Sequence, residues 1–533
     1  MPYTTKQISE ELAMSHLGLK NLEDVFWNMP TPLFYEHALR NREGHLAHQG
    51  ALVVRNGHFT GQAVKDKYIV DGSLNDSGSY HGEFDRSLSE PQFESLLNRL
   101  RGYLEGRQLY VEDCVVAAES GHDKPIRLIT QDAWHGLFAR TMFVRPSDLG
   151  QKTDFKEPEF TIIHAPHFHA VPARDGTHSE TFVILHPALR IALIGGTAYA
   201  GEIKNTVFAI MSHLLAKSDV LPLHAAVNVD QNDDITLFLG PDGSGKTALA
   251  SDASRRLLGD DMHGWNDKQI FNFEAGCYAR VHHLDKDKEP VIHAASQHFG
   301  SILENVGMDM QRRRINFDNA TLTDNTRATY SLSALSESAF PGMLSTPKNL
   351  VLLASDAFGV LPAISRLTPE QVMYYYLLGY GSYPADNGDG DGDAEPVATF
   401  SPCCGMPLMA MHPSVYAKIL GAKVRREKIQ CWLINTGWSG GPVGVGERMN
   451  IELTRTLLTA ALSGSLDDLS YQAHPILGMQ MPDQLDPIAT WHDQENPESY
   501  TAAAKQLATK FKEAFAPFTD HVPAEVVSTG PRY

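Results

Sequence analysis

ITLFLGPDGSGKTALA, residues 235–250, decides the reading of this chain. Ile235–Leu239 is a short apolar run of strand type, a glycine-rich turn follows, and the stretch from Lys246 to Arg256 reads as a helix. Strand, glycine loop and helix in that order form the setting a phosphate-binding loop requires, and Gly240 to Thr247 fits the spacing GxxxxGK[ST]. Gly240, Gly243 and Gly245 let backbone N–H groups converge on phosphate oxygens with no Cβ in the way, and Asp242, Ser244 and Ala248 complete the loop. Lys246 is placed to reach β- and γ-phosphates, and the Thr247 hydroxyl to ligate a metal. Ten residues on, Leu257-Leu-Gly-Asp-Asp261 is an apolar run ending in two carboxylates. Hard divalent cations take oxygen ligands, so Asp261 is the expected metal ligand, with Asp260 acting through water.

Working outward, 533 residues exceed what one hydrophobic core supports and suit two domains. The break is expected near Leu221-Pro222, giving an α/β domain over 1–220 and a nucleotide-binding domain over 221–533. Gln92–Leu104 has helical periodicity, Gln108–Val111 and Thr181–Leu185 read as strands, and Val207–Leu215 as a buried helix. Further strands are expected at Asn349–Leu353 and Gln430–Ile434. Gly379–Glu395, rich in Gly and Asp, reads as a mobile acidic loop. It does not fit a calcium loop, whose twelfth position would be Ala398 rather than Glu.

The net charge of −19 disfavours nucleic acid and anionic membranes as partners, so an anionic small-molecule substrate needs a local basic pocket. Five scattered Cys imply reduced thiols and no disulfide framework. With no leader-like N-terminus and no long apolar run, a cytoplasmic protein is expected, monomeric or a small homo-oligomer. The segment His164-Ala-Pro-His-Phe-His169 reads as a strand and loop carrying surface histidines rather than a zinc site.

PDGSGKT, RRLLGDDMHGWND, FNFEAGCYAR, DNTR, DAFGVLP, SRLT, NTGW and ERMNIELTR occur in the order in which ATP-dependent phosphoenolpyruvate carboxykinases carry similar blocks. FTGQAVKDKYIVD, MFVRPSD, IGGTAYAGEIKN and PLHAAVN extend the resemblance from about residue 50 to the C-terminus. The resemblance implies a two-domain α/β fold with the active site in the cleft between the domains. It also implies ATP and a divalent metal, Mg²⁺ or Mn²⁺, and conversion of oxaloacetate and ATP to phosphoenolpyruvate, ADP and CO2. By matching position, His224 resembles a metal-binding His, and Arg327 an Arg that contacts the transferred phosphoryl group. Arg448 and Thr454 resemble nucleotide contacts, Glu289 an acidic residue near the nucleotide, and Tyr199 and Lys204 cleft positions.

The departures fall on the organic-substrate side. Gln62 stands where the family has a carboxylate-binding Arg, and Asn205 where it has a second, metal-ligating Lys. Ala198 replaces a Trp, Arg280 replaces a Lys that faces the γ-phosphate, and the acidic loop takes the place of the usual lid. An amide at 205 is a harder, neutral ligand and favours Mg²⁺. Three functions remain open from the sequence: a carboxykinase with atypical substrate contacts, a carboxykinase-derived kinase acting on another small molecule without decarboxylation, and a nucleotide-binding module without turnover.

Overall fold

The computed structural model describes residues 14–532 except 15, 73–83, 85, 119, 150–156, 216–217, 219, 253, 336–337, 340–342, 385–395, 408, 410 and 484–496. Most of the acidic loop expected over 379–395 therefore lies outside the described residues. The chain is mixed α/β and folds into two compact units. One comprises Met1–Ala216, Asn272–Pro341 and Pro407–Ala410; the other comprises Lys217–Phe271, Gly342–Met406 and Met411–Tyr533. Residues 272–341 belong to the first unit and separate two stretches of the second.

The first unit carries an eight-stranded mixed sheet. Its order is Asp24–Trp27, Gln108–Val116, Lys124–Thr130, Phe160–Ala165, Ile191–Gly195, Phe182–His186, Lys67–Val70 and Arg86–Leu88. Glu90–Leu104 covers one face. Its apolar stripe Phe93, Leu96, Leu97, Leu100 and Leu104 is buried with Val111, Ile129, Ile163, Ile184 and Leu193. Ser89 caps this helix and Gln92 returns the bond to the Ser89 N–H at 3.0 Å, so the helix begins two residues before the periodicity does. A second, five-stranded sheet joins Gly276–Arg280, Arg327–Ser331, Ile302–Glu304, Leu52–Val54 and Gly44–Leu46.

In the second unit Ile235–Leu239 lies inside a large sheet, antiparallel to Leu221–Val229 and parallel to Asn349–Ala354. Gln430–Asn435 continues the parallel set. The helix after the glycine loop is shorter than its sequence suggests. It spans Lys246–Ala250, and Arg256–Gly259 is already a strand paired with Leu221–Val229. The stop is chemical: Asp252 accepts from the Ser254 N–H and hydroxyl, a local turn that competes with helix. Among the described residues no helix is long and apolar enough to cross a membrane. The five cysteines are free and buried.

Candidate functional site

The glycine loop of the second unit needs its glycines. Gly240, Gly243 and Gly245 have φ of +158°, +79° and +95°. A Cβ on Gly240 would lie 2.6 Å from the Ser244 Oγ and 2.7 Å from the Leu353 carbonyl oxygen. The Thr436 hydroxyl fixes the loop by donating to the Ser244 carbonyl at 2.9 Å. Lys246 is buried, and its Nζ donates to the carbonyls of Gly240 at 2.6 Å and Pro241 at 3.3 Å. Thr247 is half-buried in the first turn of the short helix.

Strand register brings the acids to this loop. His224 pairs opposite Met262, so Asp261 falls beside the imidazole; the separation of His224 Nε2 and Asp261 Oδ1 is 2.6 Å. Asp242 of the glycine loop comes to 3.6 Å from the same nitrogen and 3.9 Å from Lys246 Nζ. Asp260 is buried. The other face of the ring is set by Cys404, whose carbonyl lies 2.7 Å from His224 Nδ1. Cys403 and Cys404 are both left-handed, with φ of +55° and +60°, and this uncommon backbone aims the carbonyl.

A carbonyl can only accept, so Nδ1 carries a proton, and Nε2 faces the carboxylate. Two acceptors at 2.6 Å require a cation between or beside them, either a proton on Nε2 or a metal. The donor set fits a divalent metal: one imidazole oriented by a carbonyl, one carboxylate, and the Thr247 hydroxyl in the adjoining turn. Among the described residues no group of three or more His, Cys, Asp or Glu side chains could hold a metal by itself. Oxygens from Thr247 and from phosphate would have to complete the shell. Asp261→Asn, which removes the charge of a direct ligand, should lower metal-dependent turnover by more than the ~100-fold that loss of an outer-shell partner can cost, while the fold survives. Turnover titrated against Mg²⁺ and Mn²⁺ checks it.

The first unit assembles a different set. Helix Gly201–Leu215 carries Glu202, Lys204 and Asn205, of which the first two are buried and Asn205 is half-buried. Lys204 Nζ is 3.6 Å from Glu274 Oε1 and 5.8 Å from the centre of the Tyr278 ring. The Arg327 guanidinium lies 5.5 Å from the same ring, and its Nε donates to Asn325 Oδ1 at 2.9 Å. Tyr199 is buried with its ring 6.0 Å from Tyr278. Gln62 is half-buried on a turn fixed from both sides: Asn325 Nδ2 donates to the Thr60 carbonyl at 2.8 Å, and the Ala63 N–H donates to Glu202 at 2.5 Å.

The remaining expected residues have partners of their own. Arg280 is exposed and bonded to Asp324 at 2.5 Å, although strand register sets it opposite Arg327. Glu289 stands at the N-cap of Pro290–Ala295 in the first unit. Arg448 lies over the Trp438 ring at 5.5 Å, and the Thr454 hydroxyl donates to the Asn450 carbonyl at 3.1 Å. His164 departs from the surface role expected of it. It is buried between the Thr130 hydroxyl and the Thr197 carbonyl, and burial holds its pKa well below the ordinary value.

Glu304 escaped the sequence reading. It closes the apolar strand Ile302–Glu304 and is fully buried, accepting from Asn56 Nδ2 at 2.7 Å and the Ala200 N–H at 3.3 Å. The only signal was an acid at the end of an apolar run, SILEN. Burial raises its pKa from 4.5 to about 7, against the hydrogen bonds from Asn56 and Tyr278. The folded state therefore binds the proton more tightly than the unfolded one. Its contribution to stability is fully present below pH 4.5 and is lost as pH rises through about 7. Glu304→Gln should flatten the stability profile between these values and raise the unfolding midpoint at pH 8; denaturant titrations at pH 5 and 8 check this.

The family model for phosphoenolpyruvate carboxykinase matches residues 23–490. A phosphoenolpyruvate carboxykinase (ATP) of Pelobacter propionicus is 42% identical over 96% of this chain and 97% of its own. Proteins of the same name from Geotalea uraniireducens and Thermus thermophilus are each 43% identical, the latter over 97% of this chain and 98% of its own. On matches of this length and identity, the chain belongs to the ATP-dependent phosphoenolpyruvate carboxykinase family.

Proposed function

We propose that this protein is an ATP- and divalent-metal-dependent phosphotransferase of carboxykinase type, with oxaloacetate and ATP giving phosphoenolpyruvate, ADP and CO2 as its reference reaction. The observation that carries the reading is the convergence of His224, Asp261 and Lys246 at the glycine loop. The loop N–H groups and Lys246 bind and orient the nucleotide phosphates. His224, Asp261 and Thr247 hold the metal, which when bound supplies Lewis-acid polarisation of phosphoryl oxygens. Arg327, steered by Asn325, offers a planar fork to the transferred group. Lys204 and Tyr199 line the organic-acid side around Tyr278.

A second reading rests on Gln62 and Asn205. Gln62 is neutral where the family has a guanidinium, so the organic-acid side is a positive charge poorer than the family pattern, and Asn205 replaces its metal-ligating amine by an amide; an acceptor less anionic than oxaloacetate fits such a site better. That reading is a small-molecule kinase without decarboxylation. The deciding experiment couples phosphoenolpyruvate formation to a readout with ATP and either metal. A parallel assay follows γ-phosphoryl transfer to a panel of keto- and hydroxyacids. Oxaloacetate turnover at ordinary rates of ~1–1000 per second removes the second reading. Transfer to another acceptor with no oxaloacetate turnover removes the first.

A further inference from the structure

Within the first unit lies a cavity of about 740 Å³, lined by Ala198 but by none of the residues read as catalytic, nucleotide-binding or metal-ligating. It is large enough for a metabolite rather than a lone ion. Its walls carry both signs of charge, but the two signs are not equally engaged. Asp132, itself buried, is 3.0 Å from His167 Nε2 and 3.5 Å from His135 Nδ1. Glu180 faces His169 at 3.7 Å. Glu43 accepts from Asn41 Nδ2 at 3.0 Å and from the Trp134 N–H at 2.9 Å. Burial, helped by the Asp132 charge, raises the Glu43 carboxyl to about 7, so much of its negative charge is absent at neutral pH.

The guanidiniums of the same walls have no such partners. Arg42, Arg55 and Arg107 line the cavity, and among the described residues none of them has a carboxylate within ion-pair distance. Arg107 instead lies over the Tyr103 ring at 4.0 Å, and Arg42 is displayed by a left-handed backbone with φ of +62°. The acids are mostly engaged within the wall, Glu23 excepted, while the three planar, permanently charged forks have no counter-charge, Arg107 donating its Nε to the neutral Tyr103 carbonyl at 2.7 Å. With the Glu43 carboxyl largely neutral, three carboxylates stand beside three guanidiniums, so the walls balance in charge within a chain of net charge −19.

We propose that this cavity binds a metabolite-sized organic polyanion, through carboxylate or phosphate groups, on Arg42, Arg55 and Arg107. Guanidinium forks match both groups bidentately, which is the chemistry the two ligand sources share. The cavity is tied to the substrate-side residues by two of its own linings. Asn56 donates to Glu304, which also holds the Ala200 N–H. Ala198 takes a bond from His135 Nε2 at 2.9 Å and precedes Tyr199. A ligand here would therefore bear on the segment carrying Tyr199 and Lys204.

The test is calorimetry on the full chain without divalent metal, in a Lys246→Ala background so that the glycine loop does not contribute. Citrate probes carboxylates and inorganic pyrophosphate probes phosphates. The expected result is one site for at least one probe, weakened 10-fold or more by Arg42→Gln with Arg55→Gln and left unchanged by Arg327→Gln. Both arginines are exposed, so the double variant is expected to fold, and Arg55→Gln alone serves as the milder form. No binding at millimolar probe, binding that survives the double change, or binding lost in Arg327→Gln overturns the proposal. Binding of citrate alone or pyrophosphate alone identifies the ligand source. The outcome is independent of the carboxykinase assay, because no residue of the proposed reaction lines the cavity.

Discussion

Lys246→Ala is expected to lower ATP-dependent turnover by ~10³-fold, the scale on which single preorganised charge donors act in phosphoryl and acyl transfer. The ammonium is already buried and already donates to the Gly240 and Pro241 carbonyls, at the base of the loop. When phosphate arrives it exchanges two neutral acceptors for charged oxygens, a change worth more than either bond alone. An alanine leaves the γ-phosphate charge to the loop N–H groups, the metal and Arg327, with no ammonium at the base of the loop. Calorimetry with ATP and Mg²⁺ separates binding from turnover. Unchanged affinity together with unchanged turnover would remove the glycine loop from the mechanism. Methionine at the same position is the control for packing, since it fills the volume without the charge.

The second large effect is a gain. Gln62→Arg with Asn205→Lys should raise oxaloacetate-dependent phosphoenolpyruvate formation, and the unmodified protein should be weak in that reaction. Gln62→Arg restores a charge-assisted hydrogen bond to a dianion, worth ~1.5–3 kcal/mol, so kcat/KM should rise ~10–10²-fold from that change, with Asn205→Lys returning the metal-ligating amine beside it. The backbone is prepared for it. The Thr60–Ala63 turn is pinned by Asn325 and Glu202, so a longer side chain at 62 grows from a fixed point. Asn205 follows Lys204 on a helix whose inner face is buried. Wild-type turnover at ordinary rates, with no gain in the double variant, would show that Gln62 and Asn205 do not set substrate choice.

Much of this was readable because it was local. Ile235–Leu239 was legible to the residue, since an apolar pentapeptide before a glycine loop has few other conformations. Gln430–Asn435, Asn349–Ala354 and Glu90–Leu104 differ from expectation only at their ends, where caps and one more paired residue decide. The strand Gln108–Val116 runs five residues longer than its apolar run, because Glu112 and Asp113 are buried in it; Asp113 is held by Arg127 at 2.7 Å. The helix after the loop was misread, because Asp252 stops what propensity would continue. In the DAFGVLP block, Asp356 serves structure, accepting from the N–H groups of Phe358, Val360 and Leu361. Glu304 and the cavity were not legible at all. Both depend on segments far apart in sequence, and no window of neighbouring residues contains them.

The five-stranded sheet has a consequence for how the chain is made. Leu52–Val54 pairs in parallel with Ile302–Glu304, and that strand in turn needs Arg327–Ser331. The ribosome delivers the last of these roughly 280 residues after the first, which at ~5–20 residues per second leaves the Leu52–Val54 edge waiting ~15–60 s. During that interval the hairpin Gly44–Val54 has satisfied one side of its backbone only, and its other side is an open template for foreign strands. The early sheet cannot be completed by folding faster, only by synthesis catching up, so the nascent chain depends on holding factors or on slow aggregation kinetics. High expression rates, which raise the concentration of waiting chains, should therefore cost soluble yield more than moderate heating of the finished protein does.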